Sequence, residues 1–178
     1  MALAESGHTA NVLGALVGAV SDRLTEALAD RSPGSESADA TLSALDQFLG
    51  RPSIDLVSNV VGLSHSGTVR LIDRLERDGL VRRSPGADRR STSVSLTAAG
   101  RQRARQLERI RLRLLEAVLE PLTIEEREQL AALVGRMLAG MIRGPGATRW
   151  MCRMCDLTAC GRPEEHCPVE REARRRYA

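Results

Sequence analysis

The segment from Ile54 to Leu80 constrains the fold more than any other stretch of this chain. Ser53 is placed to cap a short helix that carries Ile54, Val57, Val60 and Val61. Gly62 then offers the left-handed conformation that a sharp turn requires, since it has no Cβ to clash. Leu63 can plug the angle between two helices, and Ser64 can cap the second. The expected buried face of that second helix is Val69, Ile72 and Leu75, with Ser66, Arg70, Asp73, Arg74 and Arg77 mostly opposite. Gly79 supplies a C-terminal cap, and Leu80 the apolar contact that often accompanies one. Two short helices joined by a glycine-bearing turn make a helix-turn-helix, although the turn alone also fits an ordinary helical hairpin.

The stretch after the second helix separates these readings. Leu80-Val-Arg-Arg83 reads as one strand and Ser93-Val-Ser-Leu96 as its partner, joined by Ser84-Pro-Gly-Ala-Asp-Arg-Arg-Ser91. A β-hairpin in this position is a wing, and Arg89 and Arg90 lie near its tip. Arginine suits the narrow minor groove of DNA, where the negative potential is enhanced. Alone, arginines at a hairpin tip are merely solvated; after a candidate recognition helix they point to DNA contact.

Longer helices flank this unit. Leu13, Leu16, Val17, Val20, Leu24 and Leu28 recur at helical spacing from about Thr9 to Asp30. A helix from about Thr41 places Leu42, Leu45, Phe48 and Leu49 on one face and stops at Gly50 and Pro52. Thr97 can cap a long helix through Leu107, Ile110, Leu114, Leu115, Val118 and Leu119, ending at Pro121. Thr123-Ile-Glu-Glu126 is a capping box for a further helix with Leu130, Leu133, Val134, Met137, Leu138 and Met141, broken at Gly144-Pro-Gly. Because Phe48, Trp150 and Tyr177 are the only aromatic residues, the core must be aliphatic, which favours packed helices. So much apolar surface on the terminal helices exceeds what a small reading head can cover; dimer packing accounts for it, with a larger monomer core as the alternative.

The residues Thr68-Val-Arg-Leu-Ile-Asp-Arg-Leu-Glu-Arg-Asp-Gly-Leu-Val81, Arg83, Asp88-Arg-Arg-Ser91 and Leu96-Thr-Ala-Ala-Gly100 resemble the MarR family of winged-helix transcriptional regulators. The resemblance covers about Thr9 to Arg143. It implies an obligate homodimer, with first and last helices intertwined, that presents two reading heads to a pseudo-palindromic operator in double-stranded DNA. By the same resemblance Ser64, Ser66, Thr68, Arg70 and Arg74 fall on the recognition helix, Arg89 or Arg90 on the wing tip, and Asp88 is the wing acid that pairs with an arginine. His65, at the start of the recognition helix, is a further candidate for base or phosphate contact. The family's phenolic-ligand site is not carried over, because this aromatic-poor chain offers no evident constellation for it.

The expected fold is mainly α: a winged helix-turn-helix with a small β-hairpin wing and a helical dimerisation domain drawn from both termini. The expected divisions are residues 9–30 for the N-terminal dimerisation helix, 40–96 for the DNA-binding region and 97–143 for the C-terminal dimerisation helices. A cysteine-rich segment at 149–169 and a basic tail at 170–178 complete the chain.

All four cysteines lie in that segment, spaced C-x2-C-x4-C-x6-C at Cys152, Cys155, Cys160 and Cys167. Four thiolates on one short, loop-rich stretch suit zinc or an iron–sulfur cluster. Structural zinc usually uses two C-x2-C knuckles, and only Cys152 and Cys155 form one here. The remaining ligands arrive singly, and Pro168 comes after Cys167 as in the Cys-Pro ending of bacterial ferredoxin motifs. The expected cofactor is therefore an iron–sulfur cluster, [2Fe-2S] or [4Fe-4S], with zinc as the alternative and a metal-free cysteine tail or a thiol–disulfide switch behind both. His166 could replace one thiolate but is not needed. Arg149, Arg153 and Arg162 can offset the anionic charge, and Trp150 is expected to shield the site or pack on the dimerisation helices.

The apolar run Val12 to Val20 lacks the basic flank of a signal peptide, and no stretch approaches the ~18 apolar residues of a membrane span. A cytoplasmic protein without a membrane partner is expected, and in that reducing compartment clustered cysteines ligate rather than cross-link. Net charge +3 permits nucleic acid without demanding it, and all 26 basic residues are arginine. No nucleotide-binding glycine loop, nucleophile–base pair or paired acid motif is visible, so an enzyme is not expected. The expected function is a dimeric DNA-binding regulator whose centre senses redox state, oxygen, nitric oxide or iron. Structural zinc in the same regulator is the alternative, and an iron–sulfur electron-transfer protein is a more distant one.

Overall fold

The computed structural model describes residues 2–29, 35–86, 92–144 and 146–177. Helix α1 spans Ala2–Ala29, α2 Glu36–Gln47, α3 Ile54–Val61 and α4 His65–Arg77. Strands β1 (Val81–Pro85) and β2 (Thr92–Leu96) pair antiparallel, with Val81 opposite Leu96 and Pro85 opposite Thr92. Helices α5 (Ala98–Leu119), α6 (Ile124–Gly140), α7 (Ala147–Met151) and α8 (Pro168–Tyr177) complete the chain.

The caps expected from the sequence all form. The Ser53 hydroxyl accepts from Leu56 N at 3.2 Å, Ser64 from Gly67 N at 3.2 Å and Thr97 from Gly100 N at 3.0 Å. Thr123 and Glu126 satisfy each other's backbone donors in the capping box. Gly62 ends α3 at φ +70°, the left-handed region where a side chain is strained.

The reading head closes around an aliphatic core: Leu42, Leu45 and Ala44 from α2, Val57 and Val60 from α3, Leu71, Ile72 and Leu75 from α4, Val81 and Val94 from the hairpin. Ala104 and Leu107 of α5 belong to the same core. A Cβ on Gly100 would fall 1.9 Å from the carbonyl oxygen of Leu80, so only glycine lets α5 start hard against the end of the helix-turn-helix. Thr97 Oγ1 donates to Gly79 O at 2.6 Å in the same joint. Ser53 bridges to Ser93, and Val94 N donates to Pro52 O, adding a short third edge to the hairpin.

Three expectations need correction. Helix α2 begins at Glu36 rather than near Thr41, because the small residues Ala38 and Ala40 are buried with it, and Glu36 and Asp39 occupy its first turn. The buried face of α4 is Thr68, Leu71, Ile72 and Leu75, while Val69 is only half-buried. Residues 170–178, expected as a basic tail, include most of α8, whose Glu170 and Glu172 pair with Arg174 and Arg176 one turn on.

Helix α1 packs on α5, yet Val12, Leu13, Leu16 and Val17 remain exposed on it, as do Ile124, Leu133, Met137 and Met141 along α6 and at its end. Among the described residues no helix is long and apolar enough to cross a membrane.

Candidate nucleic-acid interface and thiol cluster

The first turn of α4 projects from the reading head. Ser64, His65, Ser66 and Arg70 are exposed there. Ser64 Oγ lies 3.4 Å from Ser66 Oγ, and His65 Nδ1 lies 2.7 Å from the Asp55 carboxylate at the start of α3. Arg74 is half-buried, with Nη2 donating to Ser35 Oγ at 3.2 Å. Thr68 departs from its expected role: it is fully buried, and its hydroxyl donates back to Ser64 O at 3.0 Å. A side chain so enclosed braces the helix from within and is withdrawn from the groove-facing set. Arg89, Arg90 and Asp88 lie outside the described residues.

Arg83 ties the hairpin to α4. Its guanidinium reaches Asp73 and Glu76, each at 2.7 Å, and its backbone N–H donates to Glu76 at 2.9 Å. Desolvation opposes its charge, but the two carboxylates outweigh that and hold it above the ordinary arginine value. The signal in the sequence is Asp73 and Glu76 at i,i+3, which places them on one side of the helix beside the strand.

The four cysteines are brought together. Cys152 and Cys167 are buried, Cys155 and Cys160 half-buried, and none is in a disulfide. They form two hydrogen-bonded pairs, Cys152 with Cys155 and Cys160 with Cys167. Cys167 also acts on Cys152, and Cys155 on Cys160, so the two pairs share one electrostatic environment. The hydrogen bond with Cys155, reinforced by burial, pushes the Cys152 thiol up. The same bond, helped by Arg111 and Arg162, lowers Cys155 to about 6, whereas burial and Cys167 push Cys160 up to about 12. Among the described residues no three His, Cys, Asp or Glu side chains are arranged to hold a metal ion, so ligation would require the thiols to rearrange and lose protons.

Arg162 offers a physical sign that an acceptor belongs here. Its Nη2 donates to Glu170 at 2.9 Å, and its guanidinium lies 5.9 Å from the Phe48 ring centre. Its Nη1 is buried without a hydrogen-bond partner while its charge acts on Cys152, Cys155 and Cys160. A donor left over beside three thiols is the arrangement that thiolate or sulfide would satisfy. The donor set and this orphaned N–H both fit an anionic sulfur-ligated centre. His166 instead packs against Gly161, where a Cβ would meet its own at 2.9 Å.

This segment is tied to both halves of the molecule. Gln47 Oε1 accepts from Leu157 N at 3.1 Å, while its Nε2 donates to Glu108 of α5 at 2.8 Å. Met154 packs on the reading-head core, and Pro168 lies against Gly135 of α6. The Tyr177 hydroxyl, at the end of α8, accepts from Gly144 N at 2.9 Å. Trp150 rests against Gly62 in the turn of the helix-turn-helix. Gln47, Glu108 and Arg111 are neighbours of the cysteines that the sequence does not announce, since nothing local links them.

No family model matches the chain. Over 89 residues it is 32% identical to YwhA, an uncharacterised HTH-type transcriptional regulator of Bacillus subtilis, covering 49% of this chain and 64% of that one. The chain thus spans a little under two thirds of that relative's length. A MarR family protein from Bacillus stearothermophilus matches with a TM-score of 0.69 at 25% identity, over 78% of this chain and 96% of the other. Staphylococcus aureus MepR in its DNA complex matches with a TM-score of 0.60 at 19% identity, over 74% and 97%. At these identities the likeness is one of architecture: the chain has the winged-helix fold of the MarR-type transcriptional regulators.

Proposed function

We propose that this chain is a dimeric, sequence-specific DNA-binding transcriptional regulator whose four cysteines hold an iron–sulfur centre that reports redox state, oxygen, nitric oxide or iron. The observation that carries the DNA-binding half is the first turn of α4, capped by Ser64 and exposing Ser64, His65, Ser66 and Arg70 beside a hairpin locked to the same helix through Arg83. Such a helix fits the major groove, and the wing arginines Arg89 and Arg90 the adjacent minor groove. The solved DNA complex of MepR, a protein of the same fold, supports the reading.

Dimerisation is supported by the exposed apolar residues of α1 and α6, which a second copy would cover. Two reading heads related by a twofold axis call for a pseudo-palindromic operator, with half-site centres about one helical turn, or a multiple of it, apart.

The gathering of the four cysteines in one small cluster and the unpartnered Arg162 Nη1 support the metal half. When bound, an iron–sulfur centre supplies electron exchange and reactivity toward small oxidants; the chain supplies thiolates, burial and the Arg162 donor. Anaerobic purification with metal, sulfide and visible-absorption analysis tests this. Brown protein with iron and sulfide supports the sensor, whereas colourless protein with stoichiometric zinc replaces it with a structural site. For the DNA half, Arg89→Ala with Arg90→Ala is expected to lower the salt slope of operator binding by about one unit per lost phosphate contact. Unchanged affinity and slope would remove the wing from the interface.

A further inference from the structure

We propose that the cysteine-bearing segment is itself part of the DNA-contacting surface: Arg149 and Trp150 on α7 touch an operator phosphate flanking the recognition helix. This rests on the reading that α4 enters the groove. Trp150 Nε1 lies 3.5 Å from the position of a Cβ built on Gly62. Gly62 closes α3, and Ser64, two residues later, caps α4. The indole therefore sits at the entrance of the recognition helix, beside the exposed Ser64, His65 and Ser66.

Trp150 is held there without being enclosed. It remains 46% exposed, an unusual state for so large an apolar ring. The Arg153 guanidinium lies 4.9 Å from the ring centre, and its Nη1 donates to Trp150 O at 2.9 Å. Arg153 Nη2 reaches Glu36 at 3.2 Å, fastening α7 to the start of α2. Arg149 is exposed, and among the described residues no acidic side chain pairs with it.

The Arg149 guanidinium and the exposed part of the Trp150 ring thus extend the edge of the surface around the start of α4. Half to two thirds of protein–DNA hydrogen bonds go to phosphate and sugar, and such contacts fix register rather than sequence. Arg149 and Trp150 match that class by chemistry and by continuity with α4. Their placement also depends on the thiol cluster, because buried Cys152 comes two residues after Trp150 and Cys155 closes the adjoining turn onto Cys152 O at 3.0 Å. Loss of the centre would then free these two side chains from the DNA edge.

The test uses the full chain with its metal content measured, titrated onto operator and non-operator duplexes across a range of salt. Arg149→Ala is expected to lower the salt slope by about one unit on both duplexes. Trp150→Ala, which removes the ring seated at Gly62 beside Arg149, is expected to weaken binding severalfold. In a Cys155→Ser background, Arg149→Ala should add no further loss. An unchanged slope for Arg149→Ala, while Arg70→Ala still weakens binding, overturns the proposal and leaves α7 as solvated surface. If Arg70→Ala is also silent, the groove assignment of α4 fails, and this proposal fails with it. An equal loss with and without Cys155 overturns the dependence on the centre.

Discussion

The reading head and the cysteine segment are held by different physics. The first buries aliphatic side chains from three helices, two strands and the start of α5. Among the described residues, the hydrophobic cluster of the second buries Ile142 and Val169 besides Cys152 and Cys167. Besides the apolar contacts of Met154, Trp150 and Pro168, its ties are polar: Gln47 to Leu157 N, Arg153 to Glu36, Arg162 to Glu170. Apolar burial of the first kind supports cooperative folding by itself. So few buried aliphatics do not, and a segment of that kind relies for its order on docking and, on the proposed reading, on ligation.

The sharpest way to break this contrast is in the larger core. Ile72 is fully buried, and Ile72→Ala is expected to cost ~2–5 kcal/mol in denaturant unfolding. A loss well under ~1 kcal/mol would mean that the reading head does not rest on that core.

Chelation addresses the other side. Metal removal should lower amide protection at Cys155, Cys160, Arg162 and His166, whose backbone hydrogen bonds close the turns of the segment, by at least about tenfold, or ~1.4 kcal/mol. Protection at Leu71 and Ile72 should hold. Parallel losses in both regions would show one cooperative unit instead of two.

A smaller effect is expected at the Ser53 cap. Ser53→Ala should destabilise the reading head by ~1 kcal/mol, seen as a shift of the unfolding midpoint, with the visible spectrum of the centre unchanged. Least of all, Arg153→Ala should change global stability by under ~1 kcal/mol, because its partner Glu36 is largely exposed. A larger change there would make the polar ties, and not ligation, the main support of the segment.

The same division explains what is legible in the sequence. Caps at Ser53, Ser64, Thr97 and Thr123 are local, since hydroxyl and amide lie three residues apart, and each can be read in place. The hairpin is also local, marked by alternation and turn residues. The buried face of α4 is misplaced at Val69, because the short apolar set of that helix tolerates a shift of one residue. Thr68 hides its hydroxyl by bonding within its own helix, which composition does not announce. Helix α8 escapes a reading by composition although Glu170/Arg174 and Glu172/Arg176 carry the i,i+4 signal; four nearby arginines read more simply as a tail. The grouping of the cysteines is legible from spacing. Their neighbours are not, because Gln47 and Arg111 reach them from helices far away in the chain.

The joint at Gly100 has a mechanical consequence. With the first turn of α5 pressed against Leu80 O and Thr97 bonded to Gly79 O, the end of the recognition unit and the long helix turn as one stiff piece. The 22 residues of α5 make a lever of about 33 Å at ~1.5 Å per residue. A tilt of about 5° would carry one end through about 3 Å relative to the other, close to the ~3.4 Å step between stacked base pairs. On the proposed DNA-binding reading, the register of the reading head on an operator is geared to small rotations of α5.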